Sequence, residues 1–242
     1  MNDVAHAYLD GLCERLTALK IHENTSMAAA ADAVVDAAQG DNLVYVFGTG
    51  HSHMLAEEVH YRAGGLALAV PILASSIMVH EGAIASTIME RTDGIVGPIL
   101  DRYDITRNDV LIVVSNSGVN AAPLEAARIG KRIGCTVIAI TSLAYSTAAA
   151  DGGEKLADIA DIVIDNGTPA GDAIVELPGT ELRSGPASTV IGAAIINAIF
   201  AQAAHRLAED GTPPIYRSAN MPGAKENNRA LVERYAPRNR HL

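Results

Sequence analysis

The chain has 242 residues, 49% hydrophobic but only 4% aromatic and without Trp, so it can fill one large core and that core should be aliphatic. Eighteen Lys and Arg against 28 Asp and Glu leave a net charge of -10, which repels polyanions and excludes nucleic acid as an expected partner. Two cysteines, Cys13 and Cys135, make no disulfide framework; they fit a reducing cytoplasm and each reads as a small core residue.

The N-terminal Met1-Asn2-Asp3-Val4 lacks a basic region followed by an apolar one, so no signal peptide is expected. Residues 3–38 carry apolar positions at helical spacing and predict two helices broken near Asn24-Thr25-Ser26. Leu43–Phe47 is a first buried strand, followed by a helix over 52–63 that Gly64-Gly65 should stop. Leu66–Leu73 predicts a second strand with Pro71 at its end. Residues 75–90 read as a loop with short helical turns, and 98–103 as helical. Val110–Val114 is a third strand, then a helix over 121–133, a fourth strand at 136–140, a helix near 154–160 and a short fifth strand at 162–164. The stretch 166–185 is the longest irregular one. Pro186–Ala204 carries no charge and approaches a bilayer span in length. Its Ser188, Thr189, Asn197 and Gln202, in a chain of this pattern, point instead to a central helix buried on the sheet or on a second subunit, with no membrane partner. The basic residues Arg229, Arg234, Arg238 and Arg240 read as a solvated helix face and tail.

Strands alternating with helices predict a three-layer α/β/α, doubly wound, five-stranded parallel sheet. With the flavodoxin-like order 2-1-3-4-5, the crevice between strands 1 and 3 is the binding position. The loops that end those strands are Gly48-Thr49-Gly50-His51-Ser52 and Ser115-Asn116-Ser117-Gly118. Backbone N–H groups and hydroxyls converging at helix starts suit an anion, most simply a phosphate. A dinucleotide fingerprint would need a third glycine where His53 stands, and no acidic residue closes strand 2 to hold a ribose, so no nicotinamide or flavin cofactor is expected. A P-loop would need a lysine here, and a hydrolase elbow a glycine in place of Ser115. Taken singly, Ser52 would more often be only a helix cap.

Four pieces in order, Gly48–Ser52, Ser115-Asn116-Ser117-Gly118-Val119-Asn120, Thr141-Ser142 and Gly185-Pro186-Ala187-Ser188-Thr189, resemble the sugar isomerase (SIS) domain family over about residues 30–210. The resemblance implies one SIS domain over 1–242, with N-terminal helices at 1–40, the α/β core at 41–210 and a C-terminal extension at 211–242. It implies a phosphosugar ligand whose phosphate is held around Gly50, His51, Ser52, Ser115, Asn116, Ser117, Gly118 and Asn120, with Thr49, Ser188 and Thr189 as further contacts. Asn120 stands where many members have threonine. Ala56–Gly65 together with Val79-His80-Glu81-Gly82 looks like a stand-alone subgroup.

Family isomerases move a proton between adjacent carbons of an aldose or ketose phosphate through an enediol, which needs a carboxylate base. Glu57 and Glu58 are similar to the Glu-Glu pair of phosphoheptose isomerases, although Glu58 is equally placed to pair with Arg62 at i,i+4. Glu81 lies where related etherases carry a catalytic glutamate, and His80 beside it is a further candidate. His51, His53, His60 and His80 are dense, yet no metal is expected from their spacing. Three readings follow: an aldose–ketose phosphate isomerase, a lyase or etherase on an amino-sugar 6-phosphate, and a non-catalytic phosphosugar sensor. Family regulators carry an added DNA-binding domain, for which the segment before strand 1 is too short, too Ala-rich and too acidic. A homodimer or homotetramer is expected from the surplus of apolar helix face, with Asn220–Gly223 and Asn227-Asn228 as segments able to lie near a neighbouring subunit's site.

Overall fold

The computed structural model describes residues 4–242; Met1, Asn2 and Asp3, on which the signal-peptide reading and the first predicted helical position partly rest, lie outside the described residues. Helices α1 (Val4–His22) and α2 (Asn24–Gln39) break at Glu23, within one residue of the expected place. Then follow β1 (Val44–Gly48), α3 (His53–Val59), β2 (Ala69–Ile72), α4 (Ala83–Met89), α5 (Val96–Leu100), β3 (Val110–Val114) and α6 (Ala121–Ile133). The second half holds β4 (Thr136–Thr141), α7 (Leu143–Ala149), α8 (Leu156–Ile159), β5 (Ile162–Asp165), the pair β6 (Ala173–Glu176) and β7 (Arg183–Pro186), α9 (Ser188–Asp210) and α10 (Ala224–Tyr235).

The first five strands are parallel in the order β2-β1-β3-β4-β5. Every residue of β1 and β3 is buried, which is why both read as unbroken apolar runs rather than alternating ones. Helices α2, α3 and α9 pack on one face, and α5, α6 and α8 on the other. Pro71 sits inside β2 opposite Val46 rather than at its end. The position is tolerated because β2 is an edge strand with one side free of ladder bonds. Among the described residues α9 alone has the length and hydropathy of a membrane span. One of its faces, including Ile191, Ile195, Ile196, Ile199 and Phe200, is buried in the core. Gly192 permits the close approach to α3, since a Cβ there would come within 2.6 Å of Leu55.

Several expectations are corrected. Helix α3 stops at Val59, not at Gly64, because His60 turns extended and Tyr61 takes φ 45°. Tertiary contacts override helix propensity there: His60 packs against His241, and Tyr61 lies edge-on to Tyr216 with centroids 4.8 Å apart. The irregular 166–185 stretch contains the β6–β7 hairpin, tied to α1 by the Tyr8 hydroxyl donating to the Pro186 carbonyl at 2.8 Å. Cys135 is buried but Cys13 is exposed. Arg238 is no solvated tail residue: it reaches Asp109, whose side chain has no exposed surface.

The C-terminal tail closes on the β2 side through His241, whose Nε2 lies 3.0 Å from the Tyr103 hydroxyl. Burial holds His60 and His241 below the ordinary imidazole value of 6.5, and for His241 the neighbouring His60 and arginines add to the effect. The folded chain thus takes up these protons less readily than the unfolded chain, so stability falls as pH drops below about 6.5 and is unaffected by them well above it. Melting temperature is expected to decline between about pH 7 and about pH 5, and His241→Gln to flatten that decline.

Candidate functional site

The loops ending β1 and β3 lie side by side, as those strands are hydrogen-bonded neighbours. Gly48 is required at the first: a Cβ would stand 2.5 Å from the Ser52 backbone, so any side chain would force the turn open. Gly48→Ala is therefore expected to cost about 1–3 kcal/mol and to abolish ligand binding at this loop, as measured by denaturant unfolding and phosphate titration.

The chain then makes a 3-10 turn at Gly50–Ser52, with Gly50 at φ 53°. His53, at the place of the missing third glycine, is buried, and its Nδ1 bonds the Gly50 carbonyl. A ring that locks the turn thus stands where a dinucleotide loop would need open space. Ser52 makes no side-chain cap to α3, and Asn120 makes none to α6. Helix capping therefore does not account for either residue, and both line the cleft.

On the second loop, Ser115 Oγ accepts the Gly118 N–H at 3.1 Å. Gly118 has φ 61°, and a Cβ there would meet the Thr141 and Ser146 hydroxyls at 2.7 and 2.8 Å. Among the described residues the N–H groups of Asn116, Ser117 and Val119 have no acceptor. Asn116 also braces the loop: its Oδ1 accepts from Asn166 Nδ2 and Thr168 Oγ1, each at 2.8 Å.

Between the loops lies a cleft of ≈ 650 Å³, lined among others by Thr49, Gly50, His51, Ser52, Ser115, Asn116, Ser117 and Asn120. Most of the phosphate set read from the sequence is thus brought together. Gly118 supports the turn from outside the lining. Ser188 reaches the cleft, with its Oγ donating to Asp172 at 2.6 Å, whereas Thr189 lies in a small void beneath it.

The predicted carboxylates stand elsewhere. Glu57 and Glu58 are five and six residues beyond Ser52, about 8 Å along the helix axis at its rise per residue, and line no part of the cleft. Glu57 is half exposed and 3.8 Å from His53 Nε2. Glu58 pairs with Arg62, the i,i+4 alternative, and accepts from Asn197 Nδ2 at 2.9 Å. His80 and Glu81 are exposed and outside the lining, although their neighbours Val79 and Ala83 belong to it.

The cleft does hold a glutamate that the sequence reading passed over. Glu90, at the end of α4, accepts from Thr49 Oγ1 at 2.9 Å, Asn120 Nδ2 at 3.1 Å and Arg91 Nη1 at 2.9 Å. Its side chain is 16% exposed, and Arg91 is the one Lys or Arg in the lining. The only sequence signal was the Glu-Arg pair closing an otherwise ambiguous segment. Asp172, the second lining carboxylate, accepts the Ala187 and Ser188 N–H groups and so caps α9. Among the described residues no three His, Cys, Asp or Glu side chains converge to hold a metal.

Comparison with known proteins fits this geometry. Residues 7–142 match the SIS domain family. A UPF0309 protein of Brucella anthropi is 56% identical over 242 residues, covering 100% of both chains. The fold is similar to a phosphoheptose isomerase from Francisella tularensis, with TM-score 0.53 and 15% identity over 85% of this chain and 100% of that one. It is equally similar to the sugar isomerase domain of an RpiR transcription factor from Sphaerobacter thermophilus, with TM-score 0.52 and 17% identity over 96% and 98%. With the order of its sheet, the pairing of its two hydroxyl-rich loops and more than half its length matched, the chain belongs to the SIS-domain family and to its UPF0309 group.

Proposed function

We propose that this phosphosugar-binding protein is an aldose–ketose sugar-phosphate isomerase. The observation that carries the reading is that one cleft joins a cradle of hydroxyls and N–H groups to a carboxylate, Glu90, within hydrogen-bond distance of the cradle itself. In this reading Thr49, Ser52, Ser115, Ser117, Asn120 and the second loop's N–H groups hold the phosphate. Glu90 takes the proton from C2 of the open aldose, giving an enediolate whose hydroxyl proton passes from O2 to O1, and returns its own proton to C1 as the ketose forms. His51, exposed at the cleft, is placed to pass a proton when the sugar ring opens. The phosphoheptose isomerase among the fold neighbours supports an enzyme; the transcription-factor domain of the same fold is the reason a sensor must be tested.

A second reading keeps the same cradle but uses two carboxylates. Asp172 shares the cleft with Glu90, an arrangement able to serve as acid and base in elimination from an amino-sugar 6-phosphate. Incubation with a panel of sugar and amino-sugar phosphates in deuterated water separates the readings. Deuterium at C1 or C2 of an interconverting pair is expected. Loss of a C3 substituent instead favours elimination, and a raised melting temperature without any turnover favours a sensor.

A further inference from the structure

We propose that Glu90 holds the donors that the substrate phosphate must take, so that phosphate binding is the event that frees this carboxylate for chemistry. The inference rests on the phosphosugar reading above.

Thr49 belongs to the loop after β1, and Asn120 precedes α6 after β3, so the Glu90 carboxylate bridges the two halves of the cradle. It lies close enough to the first turn that a Cβ on Gly50 would be 3.9 Å from its Oε2. A carboxylate and a phosphate present the same acceptor chemistry to these donors. The Thr49 hydroxyl has a single proton to give, so it serves one anion at a time. Two anions competing for the same donors also repel, which favours exchange over co-occupancy.

The means of exchange are built in. The Glu90 main chain is anchored by its carbonyl, which accepts the Ala122 N–H at 3.0 Å. Only the side chain has to swing. Arg91 Nη1 contacts both Glu90 Oε1 and the Thr87 carbonyl, each within 2.9 Å, so the guanidinium can follow the carboxylate or remain beside the incoming phosphate. A displaced Glu90 carries its oxygens away from Thr49 and Asn120, which leaves their lone pairs for a substrate proton. A sugar lacking the phosphate would meet a carboxylate still tied to both loops. The phosphate is on this account a trigger as well as a handle.

The test is calorimetric titration of the full chain with inorganic phosphate. Glu90→Gln, which removes the competing charge but keeps the shape, is expected to bind phosphate at least about tenfold more tightly than the wild-type chain. Thr49→Val is expected to weaken phosphate in both backgrounds. Equal or weaker binding by Glu90→Gln, with wild-type binding intact, overturns the exchange and leaves the phosphosugar reading standing. Failure of wild-type and variant alike to bind any phosphate overturns both. A second measurement, read on the wild-type chain, uses 13C label at the glutamate carboxyls. The resonance absent from Glu90→Gln should shift on addition of phosphate, and a stationary one sinks the exchange.

Discussion

Asp109→Ala is expected to lower the unfolding free energy by about 3–5 kcal/mol, the range for removing one partner of a buried ion pair. The side chain has no exposed surface and serves four donors. It accepts the Leu43 N–H at 2.8 Å, the Thr106 N–H at 2.6 Å, Thr106 Oγ1 at 2.9 Å and Arg238 Nη2 at 2.6 Å. Removing it orphans a buried amide at the entry to β1 and a partly buried guanidinium in the C-terminal tail. Arg238→Ala should cost less, about 1–3 kcal/mol, because the carboxylate keeps three donors. The exposed pair Arg234–Asp41, 47% and 71% exposed, should contribute no more than about 1 kcal/mol. Urea unfolding of the three variants checks the ranking; Arg234→Ala proving the most damaging would refute the assignment of Asp109 as the anchor.

Glu90→Gln is expected to reduce proton exchange and turnover by about 10²–10⁴-fold, the usual range for loss of a general base. The variant keeps an oxygen for Asn120 and Arg91, which share Oε1, and sets an amide N–H opposite the Thr49 hydroxyl, which can turn to accept it, so folding should be little changed. Glu57→Gln, Glu58→Gln and Glu81→Gln should each stay within about threefold of the wild type, as surface substitutions away from the lining generally do. Deuterium uptake into the substrate carbons at saturating sugar phosphate is the deciding measurement. Loss of uptake in Glu57→Gln or Glu58→Gln, with Glu90→Gln active, would transfer the base to α3 and remove Glu90 from the reaction.

The two sets of variants also mark how far the sequence could be read. The sheet was legible because β1 and β3 are buried on both faces, and burial of that kind writes itself as continuous aliphatic runs. The loops were legible because Gly48 and Gly118 occupy positions where a Cβ collides, and the hydroxyls gather beside them. Helix ends were less so. Nothing local in Val59-His60-Tyr61 announces that α3 ends there; the cause is His241 and Tyr216, far along the chain.

The carboxylates that share the cleft were not legible for a related reason. Glu57 and Glu58 follow the Gly48–Ser52 loop directly in sequence, but adjacency along a helix is not adjacency in space. Helical rise carries them away from the loop, while the 75–90 segment, which has no clear period, folds back as α4 and delivers Glu90 to Thr49 and Asn120. Likewise Arg238 looked like part of a charged tail until the chain's end was seen to return to Asp109. By itself the sequence determined the parallel sheet, its switch point and the hydroxyl-rich loops that meet there, because hydrophobic runs and glycine sterics act between near neighbours. Only the tertiary structure decided which carboxylate shares the cleft and which charges are buried, because those depend on segments distant in the chain being brought within hydrogen-bond reach.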